Sequence, residues 1–155
     1  MHKIFGERLP VAYHDRYGAY LIAIRGGRIA AVKVPKGYFL PGGGTIPGAS
    51  DQETILRECR EETGCDAAAE RFVCSAEAYC EHPVLGHFHP IQRYYLGTLA
   101  PQTHPPTDRD HQLLWLPYRE LKGSFYLEMQ NWALEQCWEA SQIASSETAA
   151  RDGHK

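Results

Sequence analysis

Basic residues are in short supply. The chain has 155 residues, with 16 Lys and Arg against 19 Asp and Glu and a formal net charge of −3. A protein that tracks a phosphate backbone needs an excess of cations, so extended nucleic acid is not an expected partner, whereas a single nucleotide needs only a few. No apolar run approaches the roughly 18 residues of a membrane span, and Met1-His2-Lys3 does not open a basic-then-apolar leader. Neither a membrane span nor a secretory signal is therefore expected, and a cytoplasmic protein is the default. The five cysteines, Cys59, Cys65, Cys74, Cys80 and Cys137, include no Cys-x-x-Cys pair, which points to reduced thiols and away from a disulfide framework or a zinc knuckle.

What is present fits one compact unit. With 43% hydrophobic residues, a chain of this length can bury a substantial core, and residues 1–145 are expected to form a single domain. From Ser145 the apolar content is too low to pack, so 146–155 is expected to be a disordered tail. Gly18 to Arg25 reads as a strand, Gly26-Gly27 as a hairpin turn and Arg28 to Val34 as the answering strand. After Pro35-Lys36-Gly37, Tyr38 to Leu40 leads into Pro41-Gly42-Gly43-Gly44, a loop whose backbone can come close to a ligand. Arg71 to Cys80, Ile91 to Leu99 and Leu113 to Pro117 read as further strands, and Phe125 to Ala144 as a helix.

Between the glycine loop and those later strands lies the most informative segment. Ser50 is an N-cap with Glu53 three residues on, and Gly64 is a left-handed stop, so a helix from about Asp51 to Thr63 is predicted. Gln52, Ile55, Leu56, Cys59 and Thr63 share a packing side. Glu58, Glu61 and Glu62, at i, i+3 and i+4, lie together on another. Three carboxylates on one face repel unless a cation sits among them, and hard oxygen donors suit Mg²⁺ or Mn²⁺. A merely solvated face would carry more interspersed lysine. Arg57, four residues before Glu61, can orient a carboxylate.

Read from Gly43, the order Gly-x5-Ala-x7-Arg-Glu-Cys-x-Glu-Glu-x-Gly-Cys resembles the Nudix box, Gly-x5-Glu-x7-Arg-Glu-U-x-Glu-Glu-x-Gly-U, where U is apolar. Gly43, Arg57, Glu58, Glu61, Glu62 and Gly64 match, and Cys59 and Cys65 stand at the apolar positions. Ala49 departs, because the family has a glutamate there. The resemblance implies an α+β Nudix fold of the MutT type, a mixed β-sheet sandwiched between helices (α/β/α). It implies a Mg²⁺-dependent hydrolase that cleaves the diphosphate linkage of a nucleoside di- or triphosphate derivative by attack of water. Glu58, Glu61, Glu62 and the carbonyl of Gly42 are the implied metal ligands, Glu58 the implied base, and Arg57 and Glu61 its catalytic neighbours. A homodimer is possible by the same resemblance. A nucleotide-binding or regulatory module with little turnover is the alternative that Ala49 leaves open, with Asp51 or Glu53 as replacements for the missing acid.

Other residues have both a functional and a plain reading. Thr103 to Asp110 is a polar, proline-bearing loop expected near the site, where Asp108 or Asp110 could add an acid. Arg25, Lys33, Lys36 and Arg93 are candidate phosphate contacts, each otherwise a solvated strand residue. His82, His87 and His89 are expected in a loop between strands, touching solvent or phosphate, rather than as a metal site. Of Tyr79, Phe88, Tyr94, Tyr95 and Trp115, most belong in the core and one or two could stack on a base.

Overall fold

A computed structural model of the chain describes residues 1–152, from 148 onward as backbone alone. The chain runs β1 (His2–Phe5), β2 (His14–Arg25), β3 (Arg28–Val34), β4 (Gly37–Phe39), β5 (Gly42–Gly44), α1 (Asp51–Thr63), β6 (Ala67–Ala78), β7 (Cys80–His82), β8 (Gly86–Leu99), β9 (Gln112–Pro117), α2 (Tyr118–Leu121) and α3 (Glu128–Asp152). A mixed sheet orders its strands β1-β6-β8-β2-β3-β4, with β5 on β2, β7 on β8 and β9 on β3. Strand β2 is its spine. It runs parallel to β8 from His14 opposite Phe88 to Ala23 opposite Gly97, and its other edge is divided between β5 and β3.

Alternation along β2 builds both faces of the sandwich. Ala19, Leu21 and Ala23 turn to one side and pack with Ile55, Cys59, Cys65 and Leu99 under α1. Ile22 turns to the other and joins Tyr94, Leu121, Met129, Leu134 and Cys137 under α3. Small residues on the α1 side let that helix lie close to the sheet. On the α3 side a buried polar chain is internally satisfied: Gln130 accepts from the Leu40 N–H at 2.9 Å and donates to Gln92 Oε1 at 3.2 Å, which also accepts from Tyr94 at 2.7 Å. Buried polar groups hold their place only when paired in this way. All five cysteines stand as free thiols.

The bounds of α1 and β3 match the sequence reading, and several others differ. Strands β2 and β8 begin at His14 and Gly86 rather than at Gly18 and Ile91. Their added residues form a polar ribbon, held by strand pairing and by the stacking of His14 on Phe88 at 6.1 Å, and so they show no apolar alternation. Strand β6 starts at Ala67 and ends at Ala78, and β1 and β7 were not expected. Helix α3 starts at Glu128 because Phe125 is pinned: it bridges to Tyr38, and Asn131 accepts from its N–H at 2.8 Å and donates to its carbonyl at 3.1 Å. The same helix continues to Asp152, through residues that the sequence reading put in a tail from 146. Residues 153–155 of that expected tail lie outside the described residues. No helix among the described residues is long and apolar enough to cross a membrane.

Candidate active site

Helix α1 is fixed at both ends by local chemistry. Ser50 Oγ accepts from the Glu53 N–H at 3.1 Å, and Gly64 closes the helix at φ 72° with its N–H on the Arg60 carbonyl. Its packing face is Thr54, Ile55, Cys59, Glu62 and Thr63, whereas Gln52, expected there, is exposed. The two threonines can be buried because their hydroxyls donate to carbonyls four residues back, Thr54 to Ser50 at 2.9 Å and Thr63 to Cys59 at 2.6 Å.

The three glutamates therefore meet different surroundings. Glu62 is turned in and accepts from the Gly42 N–H at 2.9 Å. Glu58 is half-buried, its carboxylate against the glycine strand: a Cβ built on Gly43 would lie 2.5 Å from Glu58 Cδ. Glu61 is exposed. Gly42 has no alternative residue either, since it sits at φ 140° and a Cβ would lie 2.3 Å from the Ala19 carbonyl oxygen. Arg57 donates to the Gly44 carbonyl at 2.8 Å and to Glu58 Oε1 at 3.1 Å. The carboxylate it orients is that of Glu58.

The loop joining β8 to β9 is hung on the carboxyl end of α1. The Thr103 N–H donates to the Gly64 carbonyl at 3.0 Å and the Thr107 N–H to the Glu61 carbonyl at 2.8 Å, satisfying carbonyls that a helix end leaves free. This suspension brings Asp108 and His111 to the glutamates. His111 Nε2 stands 4.0 Å from Glu62 Oε2, and its Nδ1 stands 3.9 Å from Asp108 Oδ2. Asp110 is exposed and has no such neighbour among the described residues. Sequence reasoning passed over His111, and its place next to two acidic positions of the loop was the available signal.

Charge at this end of α1 is unbalanced. Burial pushes the Glu62 carboxyl up to about 8, with Glu58, Asp108 and Glu61 adding repulsion and the Gly42 N–H opposing it. Tyr20, beneath the glycine strand, is pushed up to about 12 chiefly by burial, with Arg16 pulling down and Glu62 and Glu58 pushing up. As placed, no three Asp, Glu, His or Cys side chains among the described residues converge closely enough to hold an ion. The donor set is nonetheless one of hard oxygens with surplus negative charge, the chemistry that takes Mg²⁺ or Mn²⁺.

At the amino end of α1 the charges cancel. Asp51 accepts from Arg93 Nε at 2.7 Å and from the second guanidinium nitrogen at 2.6 Å, and also from the Tyr95 hydroxyl. Burial raises its pKa, but these hydrogen bonds and the charge of Arg93 outweigh it, so that it lies below its ordinary value. Asp51 therefore does not replace the acid absent at position 49. Ala49 lines a cleft of about 490 Å³ with Tyr17, Thr45, Ile46, Ile91 and Arg93, and among the described residues no carboxylate contributes to its wall.

Two of the four expected phosphate cations are engaged by the protein itself. Arg93 is held by Asp51, and Arg25 donates to the Leu99 carbonyl at 2.6 Å while lying over the Trp115 ring at 4.4 Å. Lys36 lies over Tyr126 at 6.0 Å, and Lys33 is exposed on β3 opposite Gln112. His82 accepts from the Val84 and Leu85 N–H groups, His87 and His89 both meet Tyr13 edge-on, and His89 also stacks on Tyr79 and pairs with Asp15.

A glycine strand laid against a buried acidic helix, in a mixed sheet sandwiched between helices, is the arrangement of the NUDIX domain, whose family matches residues 13–135. The chain belongs to the NUDIX hydrolase family. Solved structures with the same fold include the NUDIX hydrolase from Nitrosomonas europaea, at 18% identity and TM-score 0.65, covering 80% of this chain and 90% of that one. The MutT NUDIX hydrolase from Burkholderia pseudomallei is 22% identical with TM-score 0.64, covering 79% and 98%. An ADP-ribose pyrophosphatase from Streptococcus suis 89-1591 is 22% identical with TM-score 0.63, covering 81% and 91%. At these identities the likeness is one of fold. No curated protein matches in sequence.

Proposed function

We propose that the chain is a Mg²⁺-dependent pyrophosphohydrolase acting on the diphosphate linkage of a nucleoside diphosphate derivative. The observation that carries this reading is the buried Glu62, repelled by Glu58, Glu61 and Asp108 on the edge of the glycine strand. Such a cluster is unfavourable by itself and favourable around a cation. Glu58, Glu61, Glu62 and the Gly42 carbonyl would hold the ion, which when bound lowers the pKa of water and neutralises charge on phosphate oxygens.

The rest of the chemistry belongs to the side chains. Glu58 accepts the proton of the attacking water, and Arg57, anchored on the Gly44 carbonyl, fixes the orientation of that carboxylate. Glu62, tied to the Gly42 N–H, keeps helix and glycine strand in register. The uncharged wall at Ala49 leaves the adjacent cleft free for the group attached to the diphosphate. One relative by fold is an ADP-ribose pyrophosphatase and another a UDP-X diphosphatase, so nucleoside diphosphate sugars are the first probes. The test is a phosphate-release screen over nucleotide sugars and oxidised and ordinary nucleoside triphosphates, with Mg²⁺, with Mn²⁺ and with a chelator. Metal-dependent turnover of one class is expected. No turnover on any class by a folded protein that binds Mg²⁺ rules the reading out.

A further inference from the structure

Among the described residues Arg16 has no carboxylate partner. It lies on β2 two residues before Gly18, which pairs with Gly44 of the glycine strand. Its guanidinium folds onto that strand: a Cβ built on Gly44 would lie 3.0 Å from Arg16 Nε and 3.1 Å from a terminal nitrogen. Gly44 is thus flanked by two guanidinium groups, since Arg57 donates to its carbonyl. Among the described residues Arg57, Arg60 and Arg93 each have an acidic partner and Arg25 and Arg28 a carbonyl, whereas Arg16, like Arg8, Arg71, Arg109 and Arg119, has neither, and its place on Gly44 sets it apart from those four. Its field nonetheless reaches Tyr20, which also feels Glu58 and Glu62. The next residues Tyr17 and Gly18 line the cleft, whose own ionisable side chains, Arg93 and His2, are paired with Asp51 and Glu77.

We propose that Arg16 receives the phosphoryl oxygens of the substrate, holding the diphosphate at the seam between the α1 carboxylates and the cleft at Ala49, whose charges are internally paired. This deepens, and rests on, the pyrophosphohydrolase reading. A planar guanidinium with free N–H groups matches a phosphate oxygen pair, and an arginine lying flat on a glycine backbone loses less freedom on binding than one extended into solvent. The placement also defines the substrate class: the group in the cleft is uncharged and the anionic part faces Arg16. A molecule with a second charged group at the cleft end would meet a wall that offers no unbalanced charge.

The experiment compares wild type with Arg16→Ala, Arg16→Lys and Arg119→Ala, the last removing an exposed cation from α2. For the substrate hydrolysed fastest with Mg²⁺, Arg16→Ala is expected to raise KM about 10- to 100-fold with a smaller fall in kcat. Arg16→Lys is expected to recover part of the loss, and Arg119→Ala to behave as wild type. Calorimetric titration of the full chain with inorganic pyrophosphate and Mg²⁺ is the readout free of turnover, and binding is expected to weaken in Arg16→Ala. A KM for Arg16→Ala within about twofold of wild type, or unchanged pyrophosphate binding, overturns the assignment. A wild type with no turnover overturns instead the reading on which it rests, and the pyrophosphate titration then still decides Arg16.

Discussion

At its first turn α1 presents Asp51, which accepts hydrogen bonds from Arg93 and Tyr95, while over its last two turns, among the described residues, only Glu58 of the three glutamates has an arginine partner, Arg57. Burial acts on Asp51 and Glu62 alike, yet the first is held below its ordinary pKa and the second is pushed up to about 8. What separates them is the partner. A carboxylate facing a fork of N–H donors is a structural clamp, and one facing other carboxylates is a site awaiting a cation. Helix polarity reinforces the contrast, because negative charge is favoured at the amino end and disfavoured at the carboxyl end.

Glu58→Gln attacks the contrast at its strongest point. Turnover with Mg²⁺ is expected to fall about 10²- to 10⁴-fold, with the circular dichroism spectrum and Tm unchanged; a kcat near wild type removes Glu58 from the chemistry. Glu62→Gln comes next. The amide oxygen can still accept from Gly42 while the charge is gone, so without metal and above the folded value of about 8, where Glu62 is ionised, Tm is expected to rise by about 2–4 °C per kcal/mol of repulsion relieved, and the two proteins are expected to converge as pH falls below that value. The thermal shift that Mg²⁺ gives the wild type is expected to disappear. A lower Tm would show that Glu62 is a clamp like Asp51.

Asp51→Asn tests the other end and is expected to lower stability by about 1–2 kcal/mol in chemical denaturation, reduced by the exposure of Arg93. Its effect on Mg²⁺ affinity, read by calorimetry, is expected to be nil. The smallest effect lies in acid. Because Asp51 titrates below its ordinary 3.8 in the fold, its contribution is complete above that pH and vanishes as pH falls through the folded value. Wild type and Asp51→Asn should therefore differ in Tm above about pH 4 and converge below it. A gap that stays constant into acid would mean that the clamp does not depend on ionisation.

The bounds of α1 were legible because Ser50 and Gly64 act through neighbours three or four residues away. The mixed sheet and its sandwiching helices followed from the family resemblance, with Gly26-Gly27 marking the turn between β2 and β3. Which glutamate faces inward was not legible, since it depends on Gly42, 20 residues upstream. His111 and Arg16 were missed for the same reason: one is carried to the site by backbone bonds between loop and helix, the other by the pairing of β2 with β5. Arg25 and Arg93 looked free in sequence, and their partners Leu99 and Asp51 lie 74 and 42 residues away. The ribbon of β2 and β8 gave little signal because its residues are mostly exposed or half-buried, with polar His and Asp interleaved among single apolar side chains.

Position 64 ties several of these features to a single missing atom. A Cβ there would lie 1.8 Å from the His104 carbonyl oxygen, at the point where the incoming loop leans on the helix. An alanine would have to expel that carbonyl as well as tolerate a left-handed backbone, so the loop would lose its perch together with the helix its stop. Asp108 and His111 would then drift from Glu62, although neither had been altered. The last glycine of the box thus acts at a distance, as the hinge pin that keeps two otherwise separate stretches of chain in step.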